Sequence, residues 1–140
     1  MNKDIIFYTS IAGINFRCTE DDLGPVIGYV QKDPENQYNP NAIGVYRVNG
    51  SLLGYIPDSK LEKFYKFKEG FDQLVFAGNI KKLRGYNDNK EYYVGNIAII
   101  KSQDEQELTR LIDENLFENF NLYGRTFTSK DTITEDALEI

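Results

Sequence analysis

The sequence predicts a mainly β protein: a small closed or partly open β-barrel of the OB or SH3 type, with about six strands, one inserted helix and a C-terminal helix. Short β-rich runs recur between turn-forming Gly, Pro and Asn residues, and one helical segment falls between the fourth and fifth runs. After residue 104 the apolar spacing changes to a helical period. A closed sheet has no exposed edge strands, so a barrel is favoured over an open sheet.

The first half of the barrel is predicted to contain four strands. A loop or helical turn is expected between the first two, at residues 14–22. The second strand must end before Pro34, because proline fixes its own φ and disfavours helix in the residue before it. Asn49-Gly50 is a strong hairpin signal and joins the third and fourth strands. The four strands are predicted at residues 5–8, 26–31, 42–48 and 52–56.

One helix, at about residues 61–68, is predicted after the fourth strand. Ser59 is the expected N-cap, and Glu62, three residues later, is its expected capping-box partner. The helix should close one end of the barrel. The side chains that it should bury are Leu61, Phe64 and Tyr65.

Two longer β-rich runs, at residues 74–83 and 92–100, complete the predicted barrel. The polar stretch at residues 84–91 between them is rich in Asn, Asp and Gly, which favours a hairpin. The barrel domain is therefore expected to span residues 1–101.

The C-terminal part differs from the barrel in charge and in period. Residues 1–101 carry 13 Lys/Arg and 12 Asp/Glu, whereas residues 102–140 carry 3 and 10. An acidic amphipathic helix is predicted at residues 102–121, and it should dock on the barrel or on a partner. Residues 122–140 should form an acidic, disordered tail. The apolar stripe of the helix comprises Leu108, Leu111, Ile112 and Leu116.

Composition narrows the classes of function. Histidine is absent, which removes the usual general base near neutral pH and the commonest zinc and iron ligand. The lone cysteine, Cys18, has no partner thiol and is expected to be inert. Carboxylate chemistry with Mg²⁺ stays open, but no motif positions such a site. We therefore expect a protein that is not an enzyme, has no cofactor and no membrane association, and is located in the cytoplasm.

The most informative segment is the loop at residues 33–41, with sequence DPENQYNPN. Its three asparagines offer amide donors and acceptors, Tyr38 offers an aromatic face, and Pro34 and Pro40 stiffen the backbone. Such a set suits a nucleotide, because bases stack on aromatic rings and amides bond to base edges and sugar hydroxyls. Alternatively, the asparagines bond their own backbone in Asx-turns and Tyr38 packs on the barrel.

Three blocks of sequence occur in a fixed order over roughly residues 5–100. They are Gly13-Ile14-x-Phe16, then Asp33-Pro34-x-Asn36-x-Tyr38-x-x-Asn41-Ala42-Ile43-x-Val45, and finally Gly54-Tyr55-Ile56-Pro57. Their order and spacing resemble the HIRAN domain. This domain is found at the N-terminus of helicase-like chromatin remodellers and as stand-alone or fused modules in bacteria.

The resemblance implies a module that binds single-stranded DNA at its 3′ end, beside the 33–41 loop. Phe16 and Tyr38 would flank or stack a base, and Tyr55 would lie at the edge of the site. The terminal sugar and phosphate would be contacted by Asn15, Asn36 and Asn39. The resemblance also implies a helicase or ATPase partner in trans, because this chain has no phosphate-binding loop of its own.

Two positions depart from the family pattern. Asn15 stands where a basic residue is usual, and Asn39 stands where the loop usually has aspartate. Arg17, one position after Phe16, is another source of this charge, but a one-residue shift along a strand would direct it to the opposite face. The phosphate contact of the family is therefore not expected from Arg17.

Basic residues elsewhere suggest a groove for a nucleic-acid backbone. The alternative is a solvated helix face and an edge strand protected by lysines. A different function also stays open, in which the acidic helix and tail make this chain a protein-interaction adaptor. The basic residues in question are Lys60, Lys63, Lys66 and Lys68 on the helix and Lys81, Lys82 and Arg84 on the fifth strand.

Overall fold

The computed structural model describes residues 5–84, 90–116, 120–122 and 125–127. Six strands form one antiparallel sheet in the order β1-β6-β5-β2-β3-β4, which confirms the mainly β prediction and the predicted number of strands. The strands are β1 (Ile6–Ser10), β2 (Gly24–Lys32), β3 (Ile43–Arg47), β4 (Leu52–Tyr55), β5 (Gln73–Arg84) and β6 (Glu91–Ile100).

The sheet curls so that its two edge strands meet. Just beyond the end of β1, Ala12 pairs with Tyr55 of β4, and the two residues exchange backbone hydrogen bonds of 2.7 and 2.9 Å. Gly54 permits this approach, since a Cβ there would lie 2.5 Å from the carbonyl oxygen of Ala12. The fold is thus a half-barrel whose edges are joined at one residue pair.

The predicted β3–β4 and β5–β6 hairpins are both present. The β3–β4 connection uses Gly50 in the left-handed region, with φ 91°, and the Gly50 N–H bonds to the carbonyl of Arg47. Asn49 accepts a hydrogen bond from the Ser51 N–H through its side chain. The turn therefore spans one residue more than the Asn-Gly pair that signals it. For the second hairpin, residues 85–89 lie outside the described part of the chain.

Helix α1 (Asp58–Phe67) follows β4 as predicted and contributes Phe64 to the core. The prediction of Ser59 as N-cap is wrong, because the N-cap is Pro57 and the Lys60 N–H already bonds to its carbonyl. Proline's fixed φ suits the start of a helix, and the helix begins at Asp58, two residues earlier than a cap at Ser59 would place it. Phe64 makes an edge contact with Phe7 of β1, with ring centroids 5.3 Å apart.

Helix α2 (Glu105–Leu116) packs on β2, β5 and β6, on the outside of the sheet. Leu111 is fully buried there, and Ala77 and Ala98, which pair across β5 and β6, are buried as well. The helix is shorter than the predicted 102–121 segment. Two short strands, β7 (Phe120–Leu122) and β8 (Arg125–Phe127), pair after it, where the end of the helix and the start of a disordered tail were predicted. Residues 128–140, the rest of the predicted tail, lie outside the described residues.

No helix in the described parts of the chain has the length and the apolar character needed to cross a lipid bilayer.

Candidate functional site

The 33–41 loop is ordered by its own side chains. The Asn36 Oδ1 accepts hydrogen bonds from the N–H groups of Tyr38 at 2.8 Å and Asn39 at 2.9 Å. The Asn39 Oδ1 accepts a third such bond, from the Asn41 N–H at 2.9 Å. These are the Asx-turns considered in the sequence analysis, and they leave the loop with one defined backbone path.

Both ends of the loop are fastened to neighbouring elements. At its start, the Tyr55 hydroxyl at the end of β4 donates to the Asp33 Oδ2 at 2.8 Å. At its end, the Tyr65 hydroxyl on α1 donates to the carbonyl of Asn41 at 2.7 Å. Two tyrosines from different elements therefore hold the loop from both sides.

This frame presents the ring of Tyr38 to solvent. Tyr38 is 98% exposed, and Phe16 is 88% exposed. A large aromatic ring that is fully solvated gains nothing from the hydrophobic core, so neither ring stabilises the fold by its burial. The alternative in which Tyr38 packs on the barrel is excluded.

Phe16 lies on a 3-10 turn (Ile14–Phe16) that follows Gly13, whose φ of 73° is left-handed. Ile14 is buried in the core and anchors the turn. The Asn15 amide pairs with the backbone of Tyr93 on β6, accepting from its N–H at 2.6 Å and donating to its carbonyl at 3.2 Å. Asn15 thus positions the turn, and its contact with sugar and phosphate stays a prediction.

Arg17 supplies a positive charge beside Tyr55, where the sequence did not predict one. Residues 14–16 form a 3-10 turn rather than a strand, so the argument from alternating strand faces does not hold. The Arg17 guanidinium lies over the ring of Tyr55, 5.3 Å from its centroid, and donates to the carbonyl of Gly13. A positive charge therefore lies over Tyr55, whose hydroxyl bonds to the first residue of the loop.

The backbone around Arg17 is fixed by Arg47 of β3. The Arg47 guanidinium donates to the Arg17 carbonyl at 2.9 Å, to the Leu52 carbonyl at 3.1 Å, and through two nitrogens to the Asp22 carboxylate at 2.8 Å. These hydrogen bonds hold the pKa of Asp22 at about 2. Burial raises the pKa of the neighbouring Cys18 thiol to about 11, so this thiol stays protonated at neutral pH. Arg47 thus ties the segment that carries Phe16 and Arg17 to the barrel.

Contacts connect these parts into one surface. The 3-10 turn contacts β4, Arg17 covers the ring of Tyr55, and Tyr55 bonds to the first residue of the loop. Burial and the Asp33 carboxylate raise the pKa of the Tyr55 phenol, so it stays a hydrogen-bond donor at neutral pH. The aromatic-asparagine surface, as we call this set, consists of Phe16, Arg17, Asn36, Tyr38, Asn39 and Tyr55.

The predicted lysine groove divides into two separate regions. The Lys60 ammonium lies near the carbonyl of Tyr8, which pairs with Ala98, whereas Lys82 pairs with Tyr93. The two positions are five residues apart along β6, or about 16 Å. The lysines of α1 and those of β5 therefore belong to different parts of the barrel.

The lysines also differ in their partners. Lys82 makes ion pairs with Glu20 and, at 3.0 Å, with Glu91, and these hydrogen-bonded carboxylates raise its pKa. Its charge is thus largely balanced within the protein. Lys81 beside it is half-buried, and the side chain of Arg84 lies outside the described residues. On α1, Lys63 is exposed, and burial followed by repulsion from Lys63 lowers the pKa of Lys60.

The sequence predicted the loop and both exposed rings, but it did not predict the residues from other elements that the fold places against them. Arg17 was visible as a cation, but its position depended on the turn geometry. The anchors Tyr65 and Arg47 carry no local signal of their function, because their partners are 24 and 30 residues away along the chain.

Comparisons with known proteins concern the same residues. A sequence model of the HIRAN domain matches residues 7–84, which is more than half of the chain. Among solved structures, the crystal structure of the HIRAN domain of human HLTF aligns over 81% of this chain and 93% of that chain, with 16% identity and a TM-score of 0.39. A search of curated proteins returns no significant match. The family match covers the Phe16 turn, the 33–41 loop and Tyr55.

Proposed function

Because this chain belongs to the HIRAN domain family, a family of nucleic-acid-binding modules, we propose that it binds single-stranded DNA or DNA 3′ ends through the aromatic-asparagine surface. The observation that carries the proposal is the near-complete exposure of Phe16 and Tyr38 on backbone that is otherwise fixed. Because the backbone that carries these rings is already fixed, only the side-chain torsions lose entropy on binding, and every nucleobase has a face that can stack on the rings.

Arg17 is the proposed phosphate contact. Its guanidinium lies over Tyr55, the residue that bonds to the start of the loop. Among the described residues, it forms no hydrogen bond to a carboxylate. Arginine presents several N–H donors to phosphate in a planar arrangement. It replaces Asn15, whose amide is used by Tyr93.

The asparagines have a divided function in this proposal. The Oδ1 atoms of Asn36 and Asn39 accept backbone hydrogen bonds and build the loop. The Asn39 Nδ2 makes a long contact of 3.5 Å with Asp58, and this weak bond can be exchanged for a bond to a sugar or base oxygen. Nearby Lys60 and Lys63 on α1 would add electrostatic attraction at the rim.

The test is fluorescence anisotropy of the full chain with labelled oligonucleotides over a range of salt concentrations. The series compares single-stranded with duplex DNA, 3′-hydroxyl with 3′-phosphate ends, and DNA with RNA of the same sequence. Tighter binding of single strands or of free 3′ ends supports the proposal. Negligible binding to all of them at low salt overturns it.

Variants of the two exposed rings make the test specific. Phe16→Ala and Tyr38→Ala should each weaken binding by about 1–3 kcal/mol, the range found for removal of a stacking ring. Neither ring is packed in the core, so folding should be unaffected. The matched control is Tyr8→Ala, which removes a ring that is 55% exposed on β1. Equal affinity of all three variants would show that binding occurs elsewhere.

The salt dependence separates Arg17 from Lys82. Arg17→Gln should lower the slope of log affinity against log salt by about 0.7, as expected when one contact to a single-stranded phosphate is lost. Lys82→Gln should leave the slope unchanged, because Lys82 is paired with Glu20 and Glu91. If Lys82→Gln lowers the slope and Arg17→Gln does not, the phosphate contact lies on β5 instead.

We propose a binding module rather than an enzyme. Within residues 5–84 and 90–116, no group of three or more Cys, Asp and Glu side chains is arranged to hold a metal ion. Incubation of the protein with labelled DNA and either Mg²⁺ or Mn²⁺ tests this, and metal-dependent turnover would contradict it. A helicase or ATPase acting in trans remains the proposed source of any motor activity.

A further inference from the structure

Two tyrosines form a stacked pair on the outside of the sheet. Tyr29 of β2 and Tyr46 of β3 are directly opposite each other, with ring centroids 5.2 Å apart and ring planes inclined by 14°. Neither side chain is fully buried. Helix α2 packs on β2, β5 and β6 of the same outer face, and β3, which carries Tyr46, lies beyond these strands in the sheet.

The stacked pair is continuous with the aromatic-asparagine surface. Gly44 lies between them: it pairs with Tyr55 across β3 and β4, and its missing side chain leaves room for the ring of Tyr46. A Cβ at Gly44 would lie 2.6 Å from that ring. Since Cβ atoms of directly opposite residues are about 5 Å apart, the Tyr46 ring and the Tyr55 side chain are neighbours. Three tyrosines thus form a row across β2, β3 and β4.

The surroundings of this row indicate an exposed apolar surface. Ile27, two residues before Tyr29 on the same face, is 44% exposed, and Val48 at the hairpin tip is 72% exposed. A cross-strand aromatic pair stabilises a sheet by itself, but sheet stability does not require exposed aliphatic residues on both sides of it.

Resting on the proposed function, we propose that Tyr29 and Tyr46 form a second stacking site, which holds a base located one or more nucleotides away from the base at Tyr38 and Phe16. The row of tyrosines that starts at Tyr55 gives the bound DNA strand a direction, from the 33–41 loop across β4 and β3 to β2. Stacking on aromatic rings tolerates every base, so this site adds affinity and length dependence without sequence preference.

The charges near the tyrosine row determine which part of the bound DNA, base or phosphate, contacts the row. Burial raises the pKa of the Tyr46 phenol, and the nearby carboxylates of Asp33 and Glu35 in the loop raise it further. Phosphates are repelled by these carboxylates, so the strand presents its bases to the tyrosines and its phosphates to solvent. Loss of the stacking site should therefore weaken binding at every salt concentration and leave the salt slope unchanged.

A tryptophan reporter tests the site directly, because the chain contains no tryptophan. Tyr29→Trp keeps a large ring on Tyr46 and supplies a single fluorophore. Its emission should be quenched on addition of single-stranded DNA of about eight nucleotides, a length within the range that one such module binds. Dinucleotides that occupy the loop should not quench it. The matched control, Tyr8→Trp, places the fluorophore on an exposed ring of β1 that is not part of the row, and should respond to neither.

A length series with two further variants completes the test. Tyr46→Leu removes the stack, and Gly44→Ala displaces the Tyr46 ring without removing it. Both variants should bind the octanucleotide about tenfold more weakly than the unmodified chain and the dinucleotide equally well. Thermal unfolding of each variant confirms that it is folded at the temperature of the assay.

The outcomes separate this inference from the proposed function. The second stacking site is wrong, and the proposed function stands, if the unmodified chain binds octanucleotide and dinucleotide with the same affinity. The same conclusion follows if the tryptophan emission of the Tyr29→Trp variant does not change while anisotropy reports binding. If the unmodified chain binds no oligonucleotide, the proposed function fails first.

Discussion

The hydroxyl of Tyr55 donates a 2.8 Å hydrogen bond to the carboxylate of Asp33. This bond joins the last residue of β4 to the first residue of the 33–41 loop, and the ring of the same tyrosine supports the guanidinium of Arg17. One side chain therefore orders the loop through its hydroxyl and the cation through its ring.

The two contributions of Tyr55 can be separated. Tyr55→Phe keeps the ring and removes the hydrogen bond, so the free energy of unfolding in urea should fall by about 1 kcal/mol. Tyr65→Phe removes the anchor at the other end of the loop and should cost a similar amount. Tyr38→Phe serves as control, because it removes a hydroxyl from a ring that is 98% exposed. A stability equal to that of the unmodified chain would contradict the anchoring role of each tyrosine.

The Asx-turns of Asn36 predict a difference between two substitutions. Asn36→Ala removes the acceptor of the Tyr38 and Asn39 N–H groups, so both amides should exchange their hydrogens faster. Asn36→Asp keeps an acceptor at the same place and should preserve slow exchange. Hydrogen exchange measured by NMR on the three proteins decides this. Equally fast exchange in the unmodified chain would show that the side chain does not order the loop.

The Asp22–Arg47 ion pair predicts a specific loss of stability in acid. The hydrogen bonds from Arg47 hold the pKa of Asp22 at about 2 in the folded protein, whereas the pKa of an unfolded aspartate is about 4. The pair contributes fully above about pH 4, and its contribution is lost as the pH falls toward about 2, because the unfolded chain takes up the proton first.

Unfolding in urea at about pH 5 and at about pH 2.5, on either side of the unfolded pKa, measures this contribution. The unmodified chain should lose more stability between the two pH values than Asp22→Asn does, since the variant has no carboxylate to protonate there. Asp21→Asn is the matched control on the neighbouring exposed residue. An equal loss in all three proteins would contradict the assignment.

Gly54 is predicted to be intolerant of a side chain. A Cβ there would lie 2.5 Å from the Ala12 carbonyl oxygen, a backbone atom that cannot move without breaking the pair with Tyr55. Gly54→Ala should therefore lower the free energy of unfolding by about 1–3 kcal/mol. Gly44→Ala is the informative comparison, because the added methyl group there meets a side chain that can turn away. Equal costs at both positions would contradict the tight backbone approach at Gly54.

Strand periodicity and turn residues were sufficient to predict the barrel, because each strand carries its own local signal. The expected cap at Ser59 was wrong, since Pro57 set the backbone before the serine could cap it. In the site, exposure of Tyr38 followed from a loop too polar to be core. The position of Arg17 could not be predicted in this way, because it depends on a 3-10 turn fixed by Ile14 in the core and by Arg47 from another hairpin.

The backbone pair of Ala12 and Tyr55 closes the barrel and also lies within the candidate site. One of its two residues belongs to the segment that leads to Phe16, and the other supports Arg17 and the loop. A DNA strand bound across these residues would stabilise the closed pair. Opening of the pair would separate the residues that form the site. Occupancy by a ligand and resistance of this edge to local unfolding are thus two measures of the same equilibrium.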